Sequence, residues 1–407
     1  ILESLEWLNL LPESSVEYQS KRLDRYSEVA NHLLDRGEAY WCNCSKEELA
    51  LKRARMIELG EKPRYDKTCR HLNHKKRVSD KGSSVLRFKN PEVGEVVWTD
   101  LVKGEISISN EELDDLIIIR SDGSPTYNFG AVVDDFDMKI THVIRGDDHV
   151  SNTPRQINIY NSLGYICPDF AHLPMILGSD GERLSKRHGA VSVLEFKDLG
   201  YLPQAMTNYL ARLGWSHGDD EKFSLSQLVD WFSFNKISKS PAKFDKDKFA
   251  WLNQAYIKHA TNSELIPILK KLIRDRGVSL DHANLDGIVS LLKSRCKSMS
   301  EFADLAIPFL NYKRPSDLLA SKYYSQRIEQ AVRQFSENIS AISWSPHEIS
   351  KLLKDTAKAH NLKFSELAIP LRIILMGVVD TPAINETLFL IGREVVLGRI
   401  SQELKRF

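Results

Sequence analysis

The stretch that most restricts the fold runs from Ile140 to Pro154. Ile140-Thr141-His142-Val143-Ile144-Arg145-Gly146 is rich in β-branched residues and stops at a charged cluster, Asp147-Asp148-His149. Ser151-Asn152-Thr153 then starts a helix, with Pro154 near its first turn. A strand that ends in a polar cluster and feeds a helix N-terminus belongs to an open α/β sheet, and ligands bind at that end. Arg145 offers a planar fork for a carboxylate. Asp147, Asp148 and His149 are candidates to hold an ammonium, a ribose or a metal. The plain alternative is a salt-bridged loop with surface acids, and it is preferred for Asp134 and Asp135. Tyr127, in the preceding Ser121 to Phe129 stretch, reads equally as a core aromatic or a pocket wall.

Phosphate chemistry is suggested further on. Leu173-Pro174-Met175-Ile176-Leu177 runs into Gly178-Ser179-Asp180-Gly181, a tight-turn signal. Arg183-Leu184-Ser185-Lys186-Arg187 follows, with Gly189 at its exit. Three cations on a mobile turn suit closure over a polyphosphate, where they stabilise charge that moves in the transition state. A solvated basic hairpin tip is the bland alternative for such a loop taken alone.

Upstream, residues 21 to 38 predict an amphipathic helix through Leu23, Tyr26, Val29, Ala30, Leu33 and Leu34, stopped by Gly37. Ser45 with Glu48 makes a capping box for a second helix that ends at Gly60. Cys42 and Cys44 lie before that helix, Cys69 and His71 after it. Two close pairs of thiol and imidazole donors suit tetrahedral Zn²⁺, with His74 as a spare nitrogen. Small buried cysteines in a cytosolic core are the alternative. A metal held by four protein ligands would be structural, worth on the order of 10 kcal/mol of local folding energy. Residues 83 to 120 alternate as short strands and predict a small antiparallel insert.

Beyond residue 192 the pattern turns helical, and from about residue 260 it is helix after helix. The expected segments include Leu285 to Lys297, Pro346 to Leu353 and Asn385 to Phe407. Lys236, Lys239, Lys243, Lys246 and Lys248 form a candidate backbone-contact patch, although charge runs are more often solvated faces. Fifty-six Lys plus Arg against 55 Asp plus Glu leave a net charge of +1, so any nucleic acid must be met by local patches. The longest apolar run, Leu367 to Val379, is broken by Pro370 and Arg372, so no membrane span is expected. Five cysteines without scaffold spacing fit a reducing, cytoplasmic setting.

Taken together, the motifs resemble those of the bacterial-type glutamyl-tRNA synthetases, which are class I aminoacyl-tRNA synthetases. The resemblance runs over essentially the whole chain. It is carried by Ser121-Asp122-Gly123-Ser124-Pro125-Thr126-Tyr127-Asn128-Phe129, by Thr141-His142-Val143-Ile144-Arg145-Gly146, and by Arg183-Leu184-Ser185-Lys186-Arg187, a version of the class I Lys-Met-Ser-Lys-Ser loop. It implies an α/β Rossmann-type catalytic domain at 1–23 and 127–176, interrupted by an acceptor-stem-binding insert with a zinc lobe at 24–126. A stem-contact region at 177–259 and a helical anticodon-binding domain at 260–407 would follow.

The implied reaction joins L-glutamate to tRNA-Glu with ATP and Mg²⁺, in a monomer. The resemblance puts Tyr127, Arg145, Asp148 and His149 at the glutamate and ATP site. Lys186, with Ser185, Arg183 and Arg187, would form the phosphate loop. Arg295, Lys239 and Lys243 would meet tRNA, and Cys42, Cys44, Cys69 and His71 would hold structural Zn²⁺. One departure stands out. The family's first strand and its His-Ile-Gly-His-type motif precede the helix with which this chain begins. The chain is therefore expected to lack them and half of the ATP site, and to be inactive alone. Asp147-Asp148 stands where many relatives have Glu-Asp, which weakens a ligand role for Asp147. Alternative readings are an enzyme that also charges tRNA-Gln and a non-catalytic tRNA-binding fragment or paralogue. A glutaminyl enzyme fits less well with a helical C-terminal part.

Overall fold

The computed structural model describes residues 1–72, 84–189, 192–280, 284–312, 316 and 322–405, without the side chain of Lys186. Two units emerge: Leu10–Leu184 with Leu210–Phe244, and Ile1–Asn9 with Ser185–Tyr209 and Asp245–Phe407.

In the first unit, the helix Leu23–Asp35 forms where its apolar spacing predicts and buries Tyr26, Val29, Ala30 and Leu33. It feeds β1 (Ala39–Cys42). The Ser45–Glu48 capping box then opens the helix Lys46–Glu58. β2 (Val85–Phe88) is the centre of an antiparallel sheet, with β1 on one side and β5 (Ile117–Ile119) on the other. Between them, β3 (Glu95–Asp100) and β4 (Gly104–Ser109) make a hairpin in register from Glu95–Ser109 to Asp100–Gly104. The expected antiparallel insert is therefore present.

Asp134 and Asp135, expected on a loop, lie on the helix Tyr127–Asp137. The ion-pairing half of that expectation holds. Asp134 accepts from Arg22 Nε at 2.9 Å and from the Tyr26 hydroxyl at 2.7 Å, which ties two helices together. Asp135 instead accepts from the Tyr160 hydroxyl at 3.2 Å, and burial raises its pKa above the usual carboxylate range.

β6 (His142–Gly146), a 3₁₀ turn at Asp147–Asn152, the helix Thr153–Leu163 and β7 (Asp169–Leu173) form one β-α-β unit. β6 and β7 run parallel, from His142 opposite Asp169 to Gly146 opposite Leu173. Its helix packs on the insert as well. Phe129, Val133, Ile159, Tyr160 and Phe170 share a single apolar cluster with Leu86, Phe88, Trp98 and Ile118. Each fully buried side chain of this size contributes about 1.5–3 kcal/mol. The insert and the parallel pair are thus one folding core. β8 (Ile176–Leu177) pairs in parallel with β9 (Ala242–Lys243) at the edge of this unit.

The second unit is nearly all helix, including Lys246–His259, Asn262–Asp275, Met299–Leu310, Gln326–Asn338 and Pro346–Ala359. Three expected helices differ; the one from Pro346 runs on to Ala359 rather than stopping at Leu353. The segment from Leu285 stops at Leu292 rather than Lys297. The last expected helix is two, Ile384–Ile391 and Arg393–Leu404, because Gly392 takes φ +90°, a conformation that breaks helical continuity. The apolar run at Leu367 lies in the helix Phe364–Met376, which accommodates Pro370 and buries Leu367, Leu371, Ile374 and Leu375. No helix among the described residues is long and apolar enough to cross a membrane.

Candidate active site and thiol lobe

Arg145 projects from the carboxyl end of β6. Its Nε donates to His172 Nε2 at 3.1 Å, and its Nη2 donates to Thr153 Oγ1 at 2.8 Å. The next turn places His149 so that its ring lies 5.5 Å from that of Tyr127. Asn152 Nδ2 meets His149 Nδ1 at 3.0 Å and fixes the imidazole. Tyr127 is the first residue of its helix, presented there because the preceding Thr126 bonds back to the Ile117 carbonyl at 2.7 Å. At 51% exposure it is not a core aromatic. Arg145, Tyr127 and His149 thus gather around the strand end that the sequence singled out.

The two acids there have separate fates. Asp147 pairs with Lys103 Nζ at 2.9 Å, and that ammonium also donates to the Lys239 carbonyl. Asp148 pairs with Arg183 at 3.3 Å. This second pair joins the basic loop to the strand end. The loop is built as its glycines predict. Gly178 N–H donates to the Glu182 carbonyl at 2.7 Å, Gly181 takes φ +83°, and Leu177 bridges Arg183.

Ser185 to Gly189 belongs to the helical unit. There Lys186–His188 forms a 3₁₀ turn. The Ser185 N–H donates to His188 Nδ1 at 3.0 Å, and Lys246 Nζ anchors the turn on the His188 carbonyl at 2.5 Å. Lys246 thus has a loop-anchoring contact, which its place in the lysine run did not suggest. The Lys186 side chain, central to the sequence argument, lies outside the described residues. Arg187 is exposed. Arg295 pairs with Asp380 at 3.1 Å on an exposed surface. Lys239 Nζ donates to the Lys103 carbonyl at 3.3 Å, and Lys243 is exposed on β9.

In the insert, Cys42, Cys44 and Cys69 bring their sulfurs within 4.8 Å of one another. Three of the four expected metal donors therefore converge. His71 is exposed and stands outside that group. His74 lies outside the described residues. The sequence reading missed Tyr65, whose hydroxyl accepts from Cys42 Sγ at 3.3 Å and lies 3.8 Å from Cys44 Sγ. The Cys69 backbone N–H donates to it at 3.0 Å. Arg87 lies over the Tyr65 ring at 3.7 Å. Burial pushes the Cys44 thiol up to about 12, and the neighbouring Cys69 adds to that. Burial also opposes ionisation of Cys42, but bonds with Tyr65 and Arg87 outweigh it and bring its pKa below the ordinary thiol range. Three soft donors beside a phenol oxygen fit a thiophilic cation such as Zn²⁺.

A parallel β-α-β unit with Arg145 at the carboxyl end of its first strand, in a chain that also carries a mainly helical unit, fits a class I tRNA synthetase. Residues 1–251 match the family described as tRNA synthetases class I (E and Q), catalytic domain, and residues 248–404 match the anticodon binding domain. A glutamate–tRNA ligase of Herminiimonas arsenicoxydans is 48% identical over 99% of this chain and 87% of its own length. That of Nitrosospira multiformis is also 48% identical, over 100% and 88%. The crystal structure of a glutamate tRNA ligase from Elizabethkingia meningosepticum, in complex with its amino acid, superposes with a TM-score of 0.85 at 27% identity. That match covers 99% of this chain and 88% of the solved one. The chain belongs to the glutamate–tRNA ligase family and is, as such, an aminoacyl-tRNA synthetase.

Proposed function

We propose that the protein activates L-glutamate with ATP, releasing pyrophosphate, and transfers the glutamyl group from the adenylate to the 3′ end of tRNA-Glu. The observation that carries the site assignment is Arg145, held at the carboxyl end of β6 with Tyr127 and His149 beside it. In this reading Arg145 grips a carboxylate of the amino acid, and Tyr127 and His149 wall the pocket. Asp148 holds Arg183 and so ties the loop to the site. Lys186, with Ser185, Arg183 and Arg187, stabilises the phosphate charge that develops when the amino acid attacks ATP. Mg²⁺ bound with ATP would neutralise part of that charge.

Arg295 reads the anticodon, and Lys239 and Lys243 touch the tRNA backbone. An exposed pair such as Arg295–Asp380 costs little to open. The protein works as a monomer in the cytosol. Domain borders follow the family pattern, with catalytic segments at 1–23 and 127–176, the insert at 24–126, the stem-contact region at 177–259 and the anticodon domain at 260–407.

Structural Zn²⁺ is held by Cys42, Cys44 and Cys69, with the Tyr65 oxygen as the nearest fourth donor in place of His71. Metal analysis of purified protein checks this. Cys69→Ser should abolish a stoichiometric zinc signal and lower the melting temperature, whereas His71→Ala should keep the metal. Full zinc retention in Cys69→Ser would remove the site.

Charging assays test the function itself. Full-length protein, ATP and labelled glutamate should yield glutamyl-tRNA with purified tRNA-Glu. Charging of tRNA-Gln as well would broaden the specificity, and no charging of tRNA-Glu would overturn the proposal.

A further inference from the structure

Behind Arg145 stands a buried polar chain that the proposed mechanism does not yet use. The alternation of β3 puts Val96, Trp98 and Asp100 on its inner face. His172 lies on β7, and the side chains of His172 and Asp100 have no solvent exposure. The His172 ring contacts Asp100 Oδ2 through Nδ1 at 2.5 Å. Asp100 Oδ1 accepts from the backbone N–H groups of Val102, Lys103 and His172. Burial alone would raise the Asp100 pKa, but these donors hold it below the usual carboxylate range. An ionised carboxylate can only accept, so the shared proton sits on His172 Nδ1 and leaves Nε2 bare.

That bare nitrogen faces Arg145 Nε at 3.1 Å. Thr153 Oγ1 closes the ring, accepting from Arg145 Nη2 and donating to His172 Nε2 at 3.2 Å. The Nε–Nη2 edge of the guanidinium is therefore committed inside the protein. Among the described residues Nη1 makes no hydrogen bond.

We propose that Asp100 and His172 are positioning residues that lock Arg145 through one imidazole tautomer, so that its Nη1 end is presented to a carboxylate of the amino acid. This rests on the reading that Arg145 binds glutamate. The opposite tautomer would aim an N–H at the N–H of Arg145. A protonated His172 would do the same and set a second cation against the guanidinium. The charged groups around His172 are Asp100 from β3, Arg145 from β6 and Asp147 from the turn after it. Burial lowers the His172 pKa, Asp100 opposes that, and Arg145 adds to it. The neutral ring is thus the working form.

Two variants of the full-length protein test this in tRNA glutamylation, beside Arg145→Lys. Asp100→Asn puts an amide N–H opposite Nδ1 and reverses the tautomer. It should raise the KM for glutamate about ten- to a hundredfold, the loss expected for one misplaced charged hydrogen bond, and leave the KM for ATP unchanged. His172→Gln keeps a neutral acceptor that cannot titrate. In wild type the KM for glutamate should climb as the medium is acidified below neutrality, and His172→Gln should flatten that climb. If Asp100→Asn does not fold, the pH comparison decides. An unchanged glutamate KM in folded Asp100→Asn, or superimposable pH profiles, would overturn the relay. If Arg145→Lys raises the glutamate KM while Asp100→Asn does not, only the relay fails. If Arg145→Lys leaves the KM unchanged, the assignment of Arg145 itself fails.

Discussion

Arg145 lies at the end of one short parallel strand and Arg183 follows another, yet the protein holds them in opposite ways. Arg145 is tied along one edge by His172 and Thr153, and behind them lies a carboxylate without solvent exposure. Arg183 is 70% exposed and, among the described residues, has one carboxylate partner, at 3.3 Å. The first arrangement commits polar groups during folding and has its geometry ready before a ligand arrives, which lowers the ordering cost of binding. The second keeps its freedom, which suits a phosphate chain that changes charge and shape during the reaction. The difference suggests a division of labour: a fixed cation selects the amino acid, and mobile cations serve the chemical step.

The sharpest way to break that division is at the loop. Lys186→Ala should lower kcat for glutamylation by a factor corresponding to about 3–4 kcal/mol, with little change in the KM for glutamate. A loss that appeared only in the glutamate KM would put the loop on the binding side. A smaller effect should appear on the fixed side as the medium is acidified. Because burial lowers the His172 pKa, the unfolded chain binds a proton below pH ~6.5 that the folded site refuses. Stability should therefore fall as pH drops from there toward the folded pKa. Urea midpoints in His172→Gln should show less of that slope than wild type. Smallest of all should be Asp148→Ala, which removes an exposed pair with Arg183. Its cost in stability should stay within about 1 kcal/mol. A larger loss by urea denaturation would mean the loop is held as firmly as Arg145.

Local signals carried much of this into the sequence. The β-branched run before Arg145, the Pro154 helix start, the Gly178–Gly181 turn and the Ser45 capping box each depend on neighbours in the chain, and each forms where expected. Asp100 and His172 were missed because packing between strands of two different sheets, not proximity in sequence, brings them together. A signal existed for Asp100: Val96 and Trp98 at period two imply that the same face ends in a buried acid, which demands a partner. Tyr65 went unread because a tyrosine near a turn carries no ligand spacing of its own, whereas His71 was chosen for the Cys-x-His pairing and the family resemblance. Gly392 was overlooked because the segments on both sides of it read as helix. A single residue at positive φ decides that break.

The measurement closest to the central claim is the split of kcat and KM in Arg145→Lys, assayed by glutamylation of tRNA-Glu with full-length protein. Lysine keeps the charge but not the fork that engages His172 and Thr153. The account predicts a KM for glutamate raised about ten- to a hundredfold, with kcat falling far less. A KM equal to that of wild type would contradict it.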